Sequence, residues 1–343
     1  MKNFKYSTQT ISKKDIISVN KILKSEFLTQ GPKTPEFENK IKLLVGSKYV
    51  LATNNGSSAL LLACKALSLK SGDLFWTVPN SFVATANCGV LCGLKIDFLD
   101  IDPDTWNISI EKLEKKLKIA KKKKRLPKLI IIVHLGGLPV NPIKLNNLSK
   151  KYKFKIIEDA SHSFGGKYFS KKVGCSRWSD ITVFSFHPVK IITTAEGGAA
   201  ITNNENLDNK LKILRTHGIV RDKKYLKTKI NKGWYYEFQK LGYNYRLNEI
   251  QSALGLSQLK RLKKWVTYRN KLASIYRREL KDLPIIMPKI EKEYYSSYHL
   301  FVIRLKKNKK KISRDQIYEI LKKKGIMTNV HYIPIHTQPY YKQ

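Results

Sequence analysis

Apolar residues in this chain fall into short blocks of two kinds. Residues 49–53, 74–78, 95–99, 129–133, 155–158, 181–185 and 199–202 are runs of four or five rich in β-branched and other apolar side chains, which predicts strands. Continuous runs such as Ile130-Ile131-Ile132-Val133 read as strands buried on both faces. Between them lie longer stretches of helical character at 58–69, 82–92 and 143–152. Near the start, Ser12 can cap a helix whose apolar face takes Ile16, Ile17, Ile22 and Leu23. This alternation predicts an α/β fold: a mixed, mostly parallel sheet covered by helices.

After residue 180 the pattern changes. Two strands bracket a loop holding Lys190, and a helix from Asn248 to about Leu280 reads as a bridge. Pro284 and Pro288 punctuate the chain, and a strand at 299–304, a helix at 314–324 and an edge strand at 328–331 predict a smaller α+β unit. The expected division is therefore 1–245 for a large domain and 246–343 for the bridging helix and small domain, with residues 1–30 packed near the latter. No internal repeat is present.

Composition alters this picture little. Of the 343 residues, 42% are hydrophobic and 10% aromatic, enough for a sizeable core and too many for wholesale disorder. Lys and Arg number 66 against 26 Asp and Glu, a formal charge of +40 that raises the question of a polyanion partner. The excess is mostly lysine in solvated runs, Lys121 to Lys124 and Lys309-Lys310-Lys311, without the arginines and interleaved aromatics of a nucleic-acid reader. Surface decoration, with attraction for a small anion such as a nucleotide diphosphate, explains it better than a specific nucleic-acid function. The segment 115–128 reads as a solvated helix end and loop.

Four cysteines, Cys64, Cys88, Cys92 and Cys175, show neither C-x-x-C spacing nor a secreted disulfide pattern, which points to a reducing compartment. Cys88 and Cys92 lie one helical turn apart with no His or Cys nearby in sequence to complete a metal set, so no metal is expected. The first residues lack an apolar leader and no run approaches 18 apolar residues, so a soluble, cytoplasmic protein with no membrane partner is expected.

Four stretches carry candidate chemistry. Asn55-Gly56-Ser57-Ser58, at a strand-to-helix turn, offers backbone N–H groups and hydroxyls at the positive end of a helix dipole; it serves equally as a phosphate cradle or a bare helix cap. Asp159 closes a buried strand in Glu158-Asp159-Ala160-Ser161-His162-Ser163, where a carboxylate needs a cation or hydrogen-bond donors, and a protonated pyridine nitrogen would supply one. Ser185-Phe186-His187-Pro188-Val189-Lys190 follows another buried strand; a lysine held in a partly desolvated cleft has a depressed pKa and attacks aldehydes. The fourth is Gly242-Tyr243-Asn244-Tyr245-Arg246-Leu247-Asn248-Glu249. Spacing alone does not separate Lys190 from the many surface lysines.

These stretches, in this order, resemble the DegT/DnrJ/StrS family of sugar-nucleotide aminotransferases, which use pyridoxal 5′-phosphate (PLP) on the aspartate aminotransferase fold, fold type I. The likeness runs from Leu28-Thr29-Gln30-Gly31-Pro32 to His331-Tyr332-Ile333-Pro334-Ile335-His336. Within the family it is closest to the transaminases of pseudaminic acid synthesis, through residues 185–190, Thr193-Thr194-Ala195-Glu196-Gly197-Gly198 and 248–259.

The resemblance implies a large, mostly parallel sheet domain and a small α+β C-terminal domain. It matches Lys190 to the lysine joined to the cofactor aldehyde, Asp159 to the partner of the pyridine nitrogen, and Phe82 to an aromatic stacked on the ring. Gly56, Ser57 and Ser185 match phosphate ligands, and Asn244 a residue reaching the phosphate from a second subunit, so a homodimer with shared sites is implied. His162 and His187 lie beside the ring or its lysine as tuning groups or packed histidines. Thr29, His187, Arg246 and His331 are candidates for binding substrate.

The implied reaction moves an amino group from L-glutamate to the 4-keto carbon of a UDP-linked 4-keto-6-deoxy-N-acetylhexosamine, in surface polysaccharide synthesis, with GDP- or dTDP-linked ketosugars as the alternative. Some relatives are dehydratases carrying histidine at the lysine position; here it is Lys190. Family chains usually continue some tens of residues past Tyr340-Tyr341-Lys342-Gln343, supplying the last helix and strand of the small domain, so either the sequence is a fragment or its small domain is minimal.

Overall fold

The computed structural model describes residues 3–228, 230, 232–306 and 312–342; the Lys309-Lys310-Lys311 run lies outside them. Nine strands lie between residues 49 and 202: β1 (Tyr49–Thr53), β2 (Leu74–Thr77), β3 (Lys95–Phe98), β4 (Leu129–Val133), β5 (Lys155–Asp159), the short β6 (Lys167–Tyr168) and β7 (Lys171–Lys172), β8 (Ile181–Ser185) and β9 (Gly198–Thr202). Seven form one sheet in the order β1-β9-β8-β5-β4-β2-β3. Strand β9 runs antiparallel to both its neighbours, while β8, β5, β4, β2 and β3 pair in parallel.

Helices α1 (Lys13–Leu23), α2 (Lys33–Val45), α3 (Gly56–Ala66), α4 (Ala84–Val90), α5 (Ile110–Lys122), α6 (Pro142–Tyr152) and α7 (Glu205–Arg215) accompany the strands. The continuous apolar runs are explained by burial on both sheet faces. Leu129 and Ile131 of β4 pack in the cluster containing Leu60, Leu62 and Ala63 of α3, whereas Ile130 and Ile132 enter another with Leu113 and Leu117 of α5 and Leu145 of α6. Asparagine or serine N-caps start α3, α5, α6 and α7, accepting the backbone N–H three residues on and so fixing where each strand-to-helix turn stops.

Several expectations need correction. Helix α1 starts at a Ser12 capping box as expected, yet of the predicted apolar face only Ile22 is buried; Ile16, Ile17 and Leu23 are each more than half exposed. A polar contact sets its orientation: Asp15, wholly buried, pairs with Arg261 and accepts a bond from Gln258 Nε2 at 3.1 Å. The bridging helix is two helices, α8 (Glu249–Leu259) and α9 (Leu262–Glu279), broken at Lys260–Arg261, where Arg261 N–H bonds the Gln258 carbonyl at 3.0 Å and its guanidinium turns to Asp15. Cysteine Cys64 of α3 comes within 3.6 Å of Cys88 Sγ, a neighbour the sequence spacing does not reveal.

The C-terminal unit has less strand than expected. Residues 299–303 and 328–331 form none; the described pairings are Ile285–Ile286 with Arg304–Leu305 and Tyr294–Tyr295 with β6, followed by α10 (Arg314–Lys323). The reason is competition for backbone groups. Leu300 N–H bonds the Gly136 carbonyl at 3.1 Å, and Arg269 takes the carbonyls of Tyr298 and His299, both at 3.1 Å. The N-terminal arm reaches this unit directly, since Phe4 bridges Ile326. Among the described residues no helix is long and apolar enough to cross a membrane.

Candidate active site

The parallel strands β5 and β8 end at the same edge of the sheet, which is where α/β folds gather their chemistry. Asp159 is the last residue of β5 and is buried. Its Oδ2 accepts the Thr85 hydroxyl at 2.6 Å, and its Oδ1 accepts the Ser161 hydroxyl at 2.6 Å and the Ser161 N–H at 3.2 Å. Three donors converge on this group, which therefore works as an acceptor: a carboxylate held in place with lone-pair capacity remaining for one more N–H.

Lys190 lies in the loop after β8, its N–H bonded to the His187 carbonyl at 2.9 Å. Burial pushes its ammonium down to about 8, against which the Asp159 charge pulls upward. About a tenth is therefore free amine at pH 7, the form that attacks an aldehyde, where an ordinary lysine would have less than a thousandth.

The turn after β1 leads into α3 with Asn55 as N-cap, its side chain accepting Ser58 N–H at 2.7 Å. Gly56 and exposed Ser57 open the helix. A Cβ on Gly56 would stand 2.9 Å from Ser185 Cβ, so only glycine allows β8 and the helix start to meet this closely. Gly56, Ser57 and Ser185 thus meet at a positively polarised corner suited to a phosphate.

Phe82 is 59% exposed, its ring 6.5 Å from that of Tyr332. His162 is buried; its Nδ1 accepts Gly136 N–H at 3.3 Å, so the ring proton sits on Nε2, which donates to the Tyr332 hydroxyl at 3.2 Å. Burial, with the charge of Lys190 second, holds His162 well below the usual histidine range, so the ring is neutral.

The remaining candidates scatter more. Asn244 is exposed and bridges Thr216, and the next residue's carbonyl accepts Asn54 N–H at 3.0 Å, bringing this segment beside the phosphate corner of its own chain. Arg246 has a buried Nε without a protein partner. His187 is exposed, 3.9 Å from Glu196. Thr29 is exposed at a turn anchored by Glu249, whose carboxylate accepts the N–H groups of Lys33 at 2.6 Å and Thr34 at 3.0 Å. His331 is half-buried and bonds Tyr6.

Sequence reading missed Thr85, Tyr332, His299 and Tyr6. Thr85 lies 74 residues from the carboxylate it bonds, and a threonine in a helical run carries no mark of that contact. His299, whose ring stands 4.6 Å from that of His162, lay within a stretch read as a strand.

A carboxylate able to hold a pyridine nitrogen, a depressed lysine and a phosphate corner make a donor set that fits PLP. A model of the DegT/DnrJ/EryC1/StrS aminotransferase family matches residues 9–343. The chain belongs to this family. It is 40% identical over 98% of its length, and 86% of the relative's, to the UDP-4-amino-4,6-dideoxy-N-acetyl-β-L-altrosamine transaminase of Campylobacter jejuni serotype O:23/36. Among solved structures, Helicobacter pylori PseC, an aminotransferase involved in pseudaminic acid biosynthesis, superposes with a TM-score of 0.90 at 37% identity, covering 99% of this chain and 88% of PseC. The PMP-form of Spr1654, a sugar aminotransferase assigned as putative from Streptococcus pneumoniae, gives 0.88 at 26% identity, covering 99% and 88%. The fold is thus that of the type I PLP enzymes, and the chain is a PLP-dependent aminotransferase.

Proposed function

We propose that this aminotransferase moves an amino group from L-glutamate to the 4-keto carbon of a UDP-linked 4-keto-6-deoxy-N-acetylhexosamine, for a surface polysaccharide, as a cytoplasmic homodimer. The observation that carries the substrate reading is the 40% identity with the C. jejuni transaminase along nearly the whole chain. In this reading residues 1–245 form the cofactor domain and 246–343 the bridge and small domain.

PLP, when bound, supplies an aldehyde that exchanges amines and a ring that holds the electron pair left when a C–H bond breaks. Gly56, Ser57 and Ser185 would hold its phosphate, and Phe82 would lie against its ring. Asp159, fixed by Thr85 and Ser161, would keep a proton on the ring nitrogen. Lys190 Nζ, as the free amine, would move the proton from the donor's α-carbon to the cofactor's C4′ carbon, and in the second half-reaction would move one from C4′ to C4 of the sugar. The diphosphate and base are retained through the reaction and give binding energy remote from the reacting carbon. Thr29, His187, Arg246 and His331 are the residues proposed to contact that substrate.

Discrimination by buried polar contacts to uracil and the acetamido group predicts a strong preference for UDP-N-acetyl ketosugars. Specificity constants across UDP-, GDP- and dTDP-linked 4-ketosugars test this. A GDP- or dTDP-sugar winning by tenfold, about 1.4 kcal/mol, would overturn the substrate while leaving the family standing.

Exposed Trp234, Phe238 and Leu241, at 70%, 65% and 83%, lie just before Asn244. That is too apolar for a solvated loop and supports a second chain at this face, with Asn244 completing its partner's phosphate site. Mixing inactive Asn244→Ala and Lys190→Ala chains should then restore about a quarter of wild-type activity, since half the dimers are mixed and each holds one intact site. No recovery despite demonstrated subunit exchange would refute shared sites.

A further inference from the structure

The Tyr332 hydroxyl ends a hydrogen-bond chain whose direction is set at its other end. Gly136 N–H can only donate, and it reaches His162 Nδ1 at 3.3 Å. The proton of the neutral ring is therefore on Nε2, which donates to the Tyr332 oxygen at 3.2 Å, the two rings lying within 20° of parallel. Both ends are fixed: the Gly136 carbonyl accepts Leu300 N–H at 3.1 Å, and the His162 carbonyl accepts the Ser297 hydroxyl at 2.7 Å. With its oxygen already accepting from His162, Tyr332 turns its own proton outward, and among the described residues no group accepts it. Tyr332 lines a cavity of about 1290 Å³ that it shares with Tyr6, Asn80 and His331. Lys5, Arg269 and Arg304 also line it, and among the described residues of its wall there is no Asp or Glu. The acceptor for the Tyr332 proton must therefore arrive with a ligand.

We propose that Tyr332 is a further catalytic residue, whose O–H donates to the oxygen of the carbonyl group that exchanges with nitrogen. This rests on the aminotransferase reading. As the C–N bond forms, negative charge gathers on the carbonyl oxygen, which finally leaves as water with the two protons of the attacking amine. A donor already aimed from behind by His162 stabilises that charge without reorganising. Keto acid and ketosugar present their carbonyls to the same amine in turn, so one donor serves both half-reactions. The Phe82 ring, 6.5 Å from that of Tyr332, is the one matched to the face of the cofactor, which sets the hydroxyl beside the place where that exchange would occur. Burial first, then the Asp159 charge, push the Tyr332 phenol up, so it stays protonated and a donor across the neutral range.

The test compares wild type with Tyr332→Phe, which keeps the ring against His162 and Phe82. Starting from the aminated cofactor, single-turnover rates with 2-oxoglutarate and with a UDP-linked 4-ketosugar should both fall about 100-fold. The absorbance of bound PLP, its pH midpoint and the Kd for UDP should stay as in wild type. A readout without turnover uses the PLP-loaded enzyme, which carries no amine to exchange: the carbonyl stretch of bound 2-oxoglutarate, labelled with carbon-13 at the keto carbon, should lie at lower frequency in wild type than in Tyr332→Phe. An equal stretch in the two proteins, or rates within about threefold of each other, overturns the proposal. A shifted PLP midpoint would give the proton to the cofactor's ring oxygen, and a weakened Kd for UDP would give it to the diphosphate; either overturns it too. The expected stretch and rate loss with 2-oxoglutarate, in an enzyme that aminates no UDP-linked ketosugar, support the role of Tyr332 and sink the substrate reading instead.

Discussion

Asp159→Asn is expected to fold, to bind PLP more weakly and to lose about a thousandfold in turnover. The carboxylate accepts Thr85 on one oxygen and Ser161 on the other. An amide must point its NH2 at one of those donors or at the ring nitrogen, and in neither orientation does it hold a proton on that nitrogen. Losing one charge-assisted interaction in a desolvated site costs about 3–4 kcal/mol at the transition state, which is the thousandfold. The half-reaction with glutamate, followed by absorbance at saturating PLP, measures it; turnover within tenfold of wild type would show that the Asp159 charge does not hold that proton.

Lys190→Ala should be more severe, with about 10⁴-fold or more lost, because one side chain both anchors the cofactor and moves the proton. The residue's acidity provides a second handle on the same claim. With its ammonium held near 8 by burial, the cofactor-free enzyme should take up PLP at a rate that rises with pH and levels off above about 8, as free amine replaces ammonium. Uptake that is flat from pH 6 to 9 would mean that a different group meets the aldehyde. In Lys190→Ala, uptake should be reversible and the pH dependence absent.

Much of this site was legible because it rests on strand ends and helix starts. Runs at 49–53, 129–133 and 181–185 became strands with those bounds, and the Asn54–Ser57 break became the cap and first turn of α3. What escaped was decided between distant segments. Nothing local marks Thr85 as the partner of Asp159, and nothing in residues 299–303 shows that Gly136 and Arg269 claim their backbone groups before a strand can. Helix α1 shows the same limit: its apolar residues pointed to one face, and the buried pair of Asp15 with Arg261 chose another. Cys64 is near Cys88 only because α3 packs on α4.

The central claim is that Lys190 is the residue bonded to the cofactor, and reductive trapping tests it most directly. Purified protein loaded with PLP and treated with borohydride should carry one pyridoxyl label per chain, and peptide mapping should find it on Lys190, alone among the lysines of a chain with 66 basic residues. A label on another lysine, or spread over several, would contradict the account.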